Sequence, residues 1–507
     1  MRLWFCSFGL VSLIGIRGIC AGAGLDETPV GSTGAYDAVK SMAFTSDCRH
    51  VAFLAVKRDK QCVVHDGVEG PPFEWIIPDS LVMTMSTGRL SYITQSGNEM
   101  SVIIDGKAVG GGYYFVGRDR VTFSQDGNHY AYAARRSDGA VFVVRDGVES
   151  AKYPQVSVLP VFSPDANHLA FDVSLNTGKA CVVLDGKEQT PFDGIVLGTI
   201  RFSPDSKRMA YTAVRDRKWI AVIDGQESKP YDAVWISPAF TADSRHVGFV
   251  ASHEKQYFLV YDGKEGPKYE AFSGSIAFSP DSKHMAFAIK RGKVCRAVLD
   301  GVEQAPFDDI LATSIHFSPD SAHLAYIASS GSQKFIVLDG TRQQGFDEIA
   351  SGGAVFSPDS KRLAYAAARG RQVVVVTDGV EGARYGSIGE LQFSPDSKHL
   401  SYAALSNERP LVVVDAKESA ACDAHTPVSF SPDGKHYLYI ALKGQSAAFV
   451  VDGMEVATSF TGWVRNSLGV FSDSDSADAL MARGKDMFHV KIRLDGPATS
   501  PAAVPTR

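Results

Sequence analysis

A unit of about 39 residues recurs twelve times between Phe44 and the C-terminal tail, and self-similarity at that period confines a chain to solenoids, propellers and stacked arrays. One anchor is Phe-Ser-Pro-Asp-Ser or a near variant. It is led by Phe44, Phe123, Phe162, Phe202, Phe240, Phe278, Phe317, Phe356, Phe393, Phe430 and Phe471, with Met83 leading a degenerate copy. The second anchor is Asp-Gly, from Asp66-Gly67 to Asp495-Gly496, broken once at Asp415-Ala416. No spacer between units is wide enough to hold another domain. Any function must therefore sit on an assembled surface.

The unit from Phe356 to Ile388 shows the chemistry. Phe356-Ser357-Pro358-Asp359-Ser360 ends one strand in a tight turn, because Pro pre-sets φ and Asp and Ser suit the next positions. Lys361–Ala367 reads as a second strand, and Arg369-Gly370-Arg371 as a polar tip. Val373–Thr377 is a β-branched run that suits a buried strand. Asp378-Gly379 is a type I′ hairpin signal, and Tyr385–Ile388 reads as a fourth strand. Four antiparallel strands per unit is the arithmetic of a β-propeller blade, so the sequence predicts an all-β propeller of twelve four-stranded blades. The Phe-Ser-Pro-Asp-Ser/Gly turn and the strand after it resemble the WD-like repeat of TolB-type bacterial propeller proteins, over nearly all of the chain after residue 23. The N-terminal α/β domain of that family is absent, so the resemblance implies fold and carries no role in the Tol envelope system.

The two ends suggest how the ring closes. The last unit has three strands, Gly469–Phe471, Ala479–Ala482 and Met487–Leu494, and then a tail of Pro, Ala, Ser and Thr over 497–507 that reads as disordered. Tyr36-Asp37-Ala38-Val39 copies Tyr231-Asp232-Ala233-Val234 and reads as a spare outer strand, preceded by a short linker over 24–35. Closure by strand exchange follows, since it removes exposed sheet edges. Units six apart also resemble each other: Leu90-Ser-Tyr-Ile with Leu324-Ala-Tyr-Ile, and Tyr132-Ala-Ala with Tyr365-Ala-Ala. That echo predicts two six-bladed propellers, 36–272 and 273–496, with one twelve-bladed ring as the alternative.

Residues 1–23 read as a cleaved signal peptide: Arg2, an apolar run from Leu3 to Ile16, then Ala21-Gly22-Ala23. That run is short for a membrane span, which predicts a periplasmic or secreted protein with no transmembrane anchor. A formal charge of −6 argues against nucleic acid as a partner. Cys48, Cys62, Cys181, Cys295 and Cys422 are scattered over separate units in no disulfide or metal spacing, and no cofactor motif is present.

Turns after Phe-Ser-Pro and at Asp-Gly fall on one rim of a propeller, and the tips between second and third strands on the other. Those tips vary and are basic, notably at Lys57, Arg58, Arg135, Arg136, Arg215, Arg217, Lys290, Arg291, Arg369 and Arg371. A cationic rim on an acidic protein concentrates anionic ligands, which points to an acidic protein patch, an anionic glycan or a lipid headgroup. Arg201 and His316 precede the blade Phe on first strands and are candidates for the central channel. Asp172 replaces an apolar or small residue after Phe171 and is a third candidate. Asp473, Asp475 and Asp478 hint at a calcium loop, but Ala477 interrupts the ligand series. Gly-x-Ser-x-Gly is missing, and Tyr257 stands where a zinc motif begun at His253-Glu254 requires a second His. These features predict a non-enzymatic binding scaffold. The alternative is a propeller hydrolase or lyase acting on polysaccharide, which would draw paired carboxylates from different blades.

Overall fold

The computed structural model describes residues 24–494 apart from 118–119, 157–158, 465–466 and 468. Twelve antiparallel sheets are arranged around one axis as the blades of a β-propeller, and the only helix among the described residues is one 3-10 turn, Pro78–Ser80. The first strand of each blade lines the axis, where first strands of neighbouring blades touch. In the first blade the order from the axis outward is Ala38–Phe44, Val51–Lys57, Lys60–His65 and Val68–Glu69. The expected fourth strand at Tyr385–Ile388 is corrected. The outer strand is Val380–Tyr385, directly after Asp-Gly, and Ser387–Phe393 is already the inner strand of the next blade.

Second strands such as Val51–Ala55 and Leu363–Ala367 are buried at every position, since both faces of a blade are covered by neighbours. The core is accordingly a series of interblade layers. The layer between blades four and five joins Ala170 and Val182 to Phe192, Tyr211, Ile220 and Val222. At most blade junctions an aromatic from the outer strand or its exit docks edge-on against an aromatic of the next blade's second strand; Cys422 takes that place before blade eleven, and Phe460 before blade twelve meets Phe488 of the third strand instead. Examples are Tyr36–Phe53 at 5.7 Å, Phe192–Tyr211 at 6.3 Å and Phe346–Tyr365 at 6.1 Å between ring centroids. The acidic residue that follows then caps the next blade's tip: Asp37, Asp193 and Asp347 accept hydrogen bonds from the backbone N–H groups of Arg58, Asp216 and Gly370. Tyr/Phe-Asp is thus an interblade latch.

Closure is by strand exchange, but through a different segment. Gly24–Ser32 pairs antiparallel with Asp486–Arg493 and supplies the outer strand of the last blade. The stretch expected as a linker is therefore a strand, and Tyr36–Val39 is the latch and entry of the first blade. A bulge between Pro29 and Gly31 lets the strand face both ways. Leu25 packs into the layer between blades eleven and twelve, whereas Val30 packs with Phe53, Leu480 and Met487 between blades twelve and one.

The layers run in unbroken sequence. Blade six meets blade seven through Val250, Leu259, Phe287 and Val298, and blade twelve meets blade one through Leu480, Met487, Val51 and Phe53. Two separate six-bladed rings would instead join six to one and twelve to seven. The expected pair of propellers, divided between residues 272 and 273, is replaced by the alternative, a single ring of twelve. Residue 272 lies inside the inner strand Ala271–Phe278, so no linker lies there.

Candidate functional site

Each hairpin tip between second and third strands is a two-residue turn or a slightly longer loop. Arg58 and Asp59 both take positive φ, of 50° and 63°, and Asp216 and Arg217 repeat this at 50° and 62°. The last residue of the second strand, or the one just after it, leans toward a glutamate of its own outer strand. Lys57 pairs with Glu69 at 2.9 Å, Arg215 with Glu227 at 2.5 Å, Arg291 with Glu303 at 2.8 Å and Arg369 with Glu381 at 2.8 Å, and Arg136 pairs with Glu149. Glu69, Glu149 and Glu227 follow Asp-Gly turns and by spacing belong to the opposite rim; in the fold their carboxylates reach back to the tips. These five cations are neutralised.

The other five are different. Arg58, Arg217, Lys290 and Arg371 are exposed and have no ion pair among the described residues. Arg135 lies over Tyr114 and Phe115, at 5.2 and 5.7 Å from their ring centroids. Tyr114 and Phe115 are themselves exposed at the start of the third blade's inner strand. Trp75 and Trp235 are exposed near the corresponding ends of blades two and six, with Lys40 Nζ 4.4 Å from the Trp75 ring centroid. The tip rim therefore mixes unpaired cations with solvent-facing aromatics. The aromatics have a sequence signal, bulky residues just after the latch, but it reads as core until the strand assignment is known.

The opposite rim is a hydrogen-bonded lattice. Ser357 Oγ donates to Asp359 Oδ1 at 2.7 Å and accepts the Arg362 N–H, closing the Phe-Ser-Pro turn. The last Ser of the motif accepts from the blade before, as in Asp320 N–H to Ser360 Oγ at 3.0 Å. The serine donor holds these turn carboxylates below their usual range, Asp396 at about 2 through Ser394. A His or Arg then meets the Asp of Asp-Gly, as in His323 Nδ1 to Asp339 Oδ2 at 2.7 Å and Arg362 Nε to Asp378 Oδ2 at 3.2 Å. Lys283, Lys398 and Lys435 on this rim pair with the turn Asp two residues earlier. Cations therefore occur on both rims, and those of the turn rim are largely matched.

The channel candidates do not converge. Arg201 is exposed on the fifth blade's inner strand and donates to the Ile200 carbonyl at 2.8 Å. His316 lies on the eighth blade's inner strand, half-buried, with Nδ1 donating to the Ser314 carbonyl at 2.8 Å. Asp172 is buried one strand further out, in Leu169–Ser174, on the face that meets blade five. In the last blade Asp473 accepts from the Asp475 N–H and Ser476 Oγ, while Asp478 turns inward to His489 at 2.7 Å. Burial raises the Asp478 carboxyl, but the donors His489 and Ser472 outweigh it and hold it low. Asp172 and Asp478 lie in blades four and twelve, far apart in the ring order. All five described cysteines are buried without a disulfide, and burial pushes the Cys181 thiol up to about 11.

No family model and no curated protein matches the chain. Among solved structures, it is similar to a eukaryotic initiation factor at 15% identity and a TM-score of 0.35, covering 65% of this chain and 97% of that one. It is also similar to the Niastella koreensis GH74 enzyme at 12% identity and a TM-score of 0.27, covering 92% of each chain. A chain of the mitotic checkpoint complex matches at 12% identity and a TM-score of 0.27, over 49% of this chain and 89% of that one. At these scores the likenesses carry no argument about function. No helix among the described residues is long and apolar enough to cross a membrane.

Proposed function

We propose that this chain is an exported, non-enzymatic binding scaffold that recognises an anionic partner through its tip rim. The observation that carries the reading is the set of exposed, unpaired cations, Arg58, Arg217, Lys290 and Arg371, on the rim that also exposes Trp75, Tyr114, Phe115 and Trp235. Unpaired cations supply attraction over a Debye length of about 8–10 Å. Aromatic faces add contact area at little entropic cost and suit the apolar faces of a sugar or a protein side chain. Export rests on the sequence of residues 1–23, which lie outside the described residues.

Among the named partner classes, an acidic polysaccharide uses both components of the rim. Retention on immobilised polygalacturonate tests this. The native protein is expected to bind at low ionic strength and to elute as salt rises. The variant Arg58→Glu/Arg217→Glu/Lys290→Glu/Arg371→Glu should pass through unretained, with its melting temperature unchanged within a few degrees. Reversal of Lys207, Lys283, Lys361 and Lys398 on the turn rim should leave retention intact. Equal loss from both sets, or retention insensitive to salt, would reduce the tip cations to ordinary solvated side chains.

A further inference from the structure

The turn rim of the first blade carries a side-chain group that the repeat does not explain. His-Asp pairing across the rim recurs in eight blades, where it joins the start of the second strand to the Asp-Gly turn. Examples are His129–Asp146, His284–Asp300 and His436–Asp452, at 2.7–2.8 Å. In the first blade the same pair is His50 Nδ1 and Asp66 Oδ2, at 2.7 Å. The residue just before the Asp differs there. Other units place Leu184, Ile223, Leu299, Leu338 or Val414 at that position, whereas the first places His65, the one imidazole in the series. One donor atom from each of His50, His65 and Asp66 lies within 4.8 Å of the other two. His65 Nε2 is 3.5 Å from Asp66 Oδ2, is shut off from solvent, and has no hydrogen-bond partner among the described residues.

We propose that His50, His65 and Asp66 form a zinc site. Two imidazoles and one carboxylate match the nitrogen-and-oxygen donor set of zinc with three protein ligands, which leaves a fourth position for water. Calcium and magnesium require oxygen-rich shells that this group does not offer. Ligands about 2.0–2.1 Å from a tetrahedral ion stand about 3.3 Å from one another, so the 2.7 and 3.5 Å separations from Asp66, and a His50–His65 separation within 4.8 Å, need side-chain movements of about 1.5 Å or less. The supporting contacts are in place. Asp66 Oδ1 accepts the Val51 N–H at 2.9 Å, which fixes the carboxylate with Oδ2 toward the imidazoles. Gly88 of the second blade lies against the His50 ring, where a Cβ would come within 2.9 Å of Cδ2. His50 is about half exposed, which opens the site to solvent on that side. Binding displaces the proton shared by His50 Nδ1 and Asp66 Oδ2 to water, and no other covalent change is required.

The test is competition of purified, chelator-stripped protein with a chromophoric chelator for zinc(II). Native protein should take up one zinc ion per chain. His65→Leu and His50→Arg should lose it, and both replacements already occupy equivalent positions in other blades, at Leu184 and Arg89. His65→Gln removes the imidazole while keeping polarity, and should also lose zinc with the zinc-free melting temperature preserved. His284→Arg, which breaks the equivalent pair in blade seven, should bind as the native protein does. Absence of zinc uptake by the native protein, or zinc retained by His65→Gln, would overturn the proposal.

Discussion

Asp415 and Ala416 take φ of 49° and 61°, the conformation that Asp378 and Gly379 take at 52° and 81°. The hairpin has therefore kept its type and placed a Cβ in the left-handed region, at a cost of about 1 kcal/mol. Ala416→Gly should raise unfolding free energy in denaturant by about that amount, with no change in slope; a loss would mean that the turn relies on the alanine. The Asp-Gly signal was legible because one backbone geometry imposes one residue pair. Charge pairing was less so. Lys57 and Glu69 stand twelve residues apart on strands whose alignment fixes their meeting, and a sequence shows the two charges without that alignment. Half of the tip cations are silent for this reason, and which half was visible only in three dimensions.

Outer strands explain the main misreading of the elements. Val68, Val148, Val302 and Val380 are 63–72% exposed, so the fourth strand lacks the alternation that marks a half-buried strand. The Tyr/Phe-Asp run after it is apolar because it latches onto the next blade, and it imitates the missing strand. Inner strands hide another device: Ser80, Thr199 and Ser314 donate to the carbonyl three residues back and accept an N–H from the second strand, bridging the point where the inner strand breaks or bulges away from it. The latch can be tested at Phe346, which is fully buried against Tyr365 and lies 4.3 Å below the Arg369 guanidinium. Phe346→Ala should destabilise the protein by about 3–5 kcal/mol by chemical denaturation. Arg369→Ala, which removes only a partly exposed stacking and ion-pair partner, should cost about 1 kcal/mol or less. Comparable losses would move the weight from the aromatic to the tip.

At the scale of the molecule, the repeat number and blade type were legible, and the ring size was not. Likeness at six units is a relation between sequences, whereas ring size depends on which apolar face meets the twelfth blade. Strand exchange was inferred from an incomplete last unit; its donor was misplaced because Gly24–Ser32, with Asp26, Glu27 and Pro29, has the polar composition of an edge. Arg483–Glu27 and Arg493–Asp26 ion pairs fasten that edge across the sheet. One measurement addresses ring size and closure together: hydrogen exchange, peptide by peptide, on the chain lacking residues 24–32. A single ring predicts that Asp486–Arg493 loses protection sharply, while Gln256–Tyr261 in the sixth blade keeps the protection of the full chain. Lost protection at 256–261 with 486–493 unchanged would mean that the N-terminal strand closes a ring of six, and would contradict the twelve-bladed propeller.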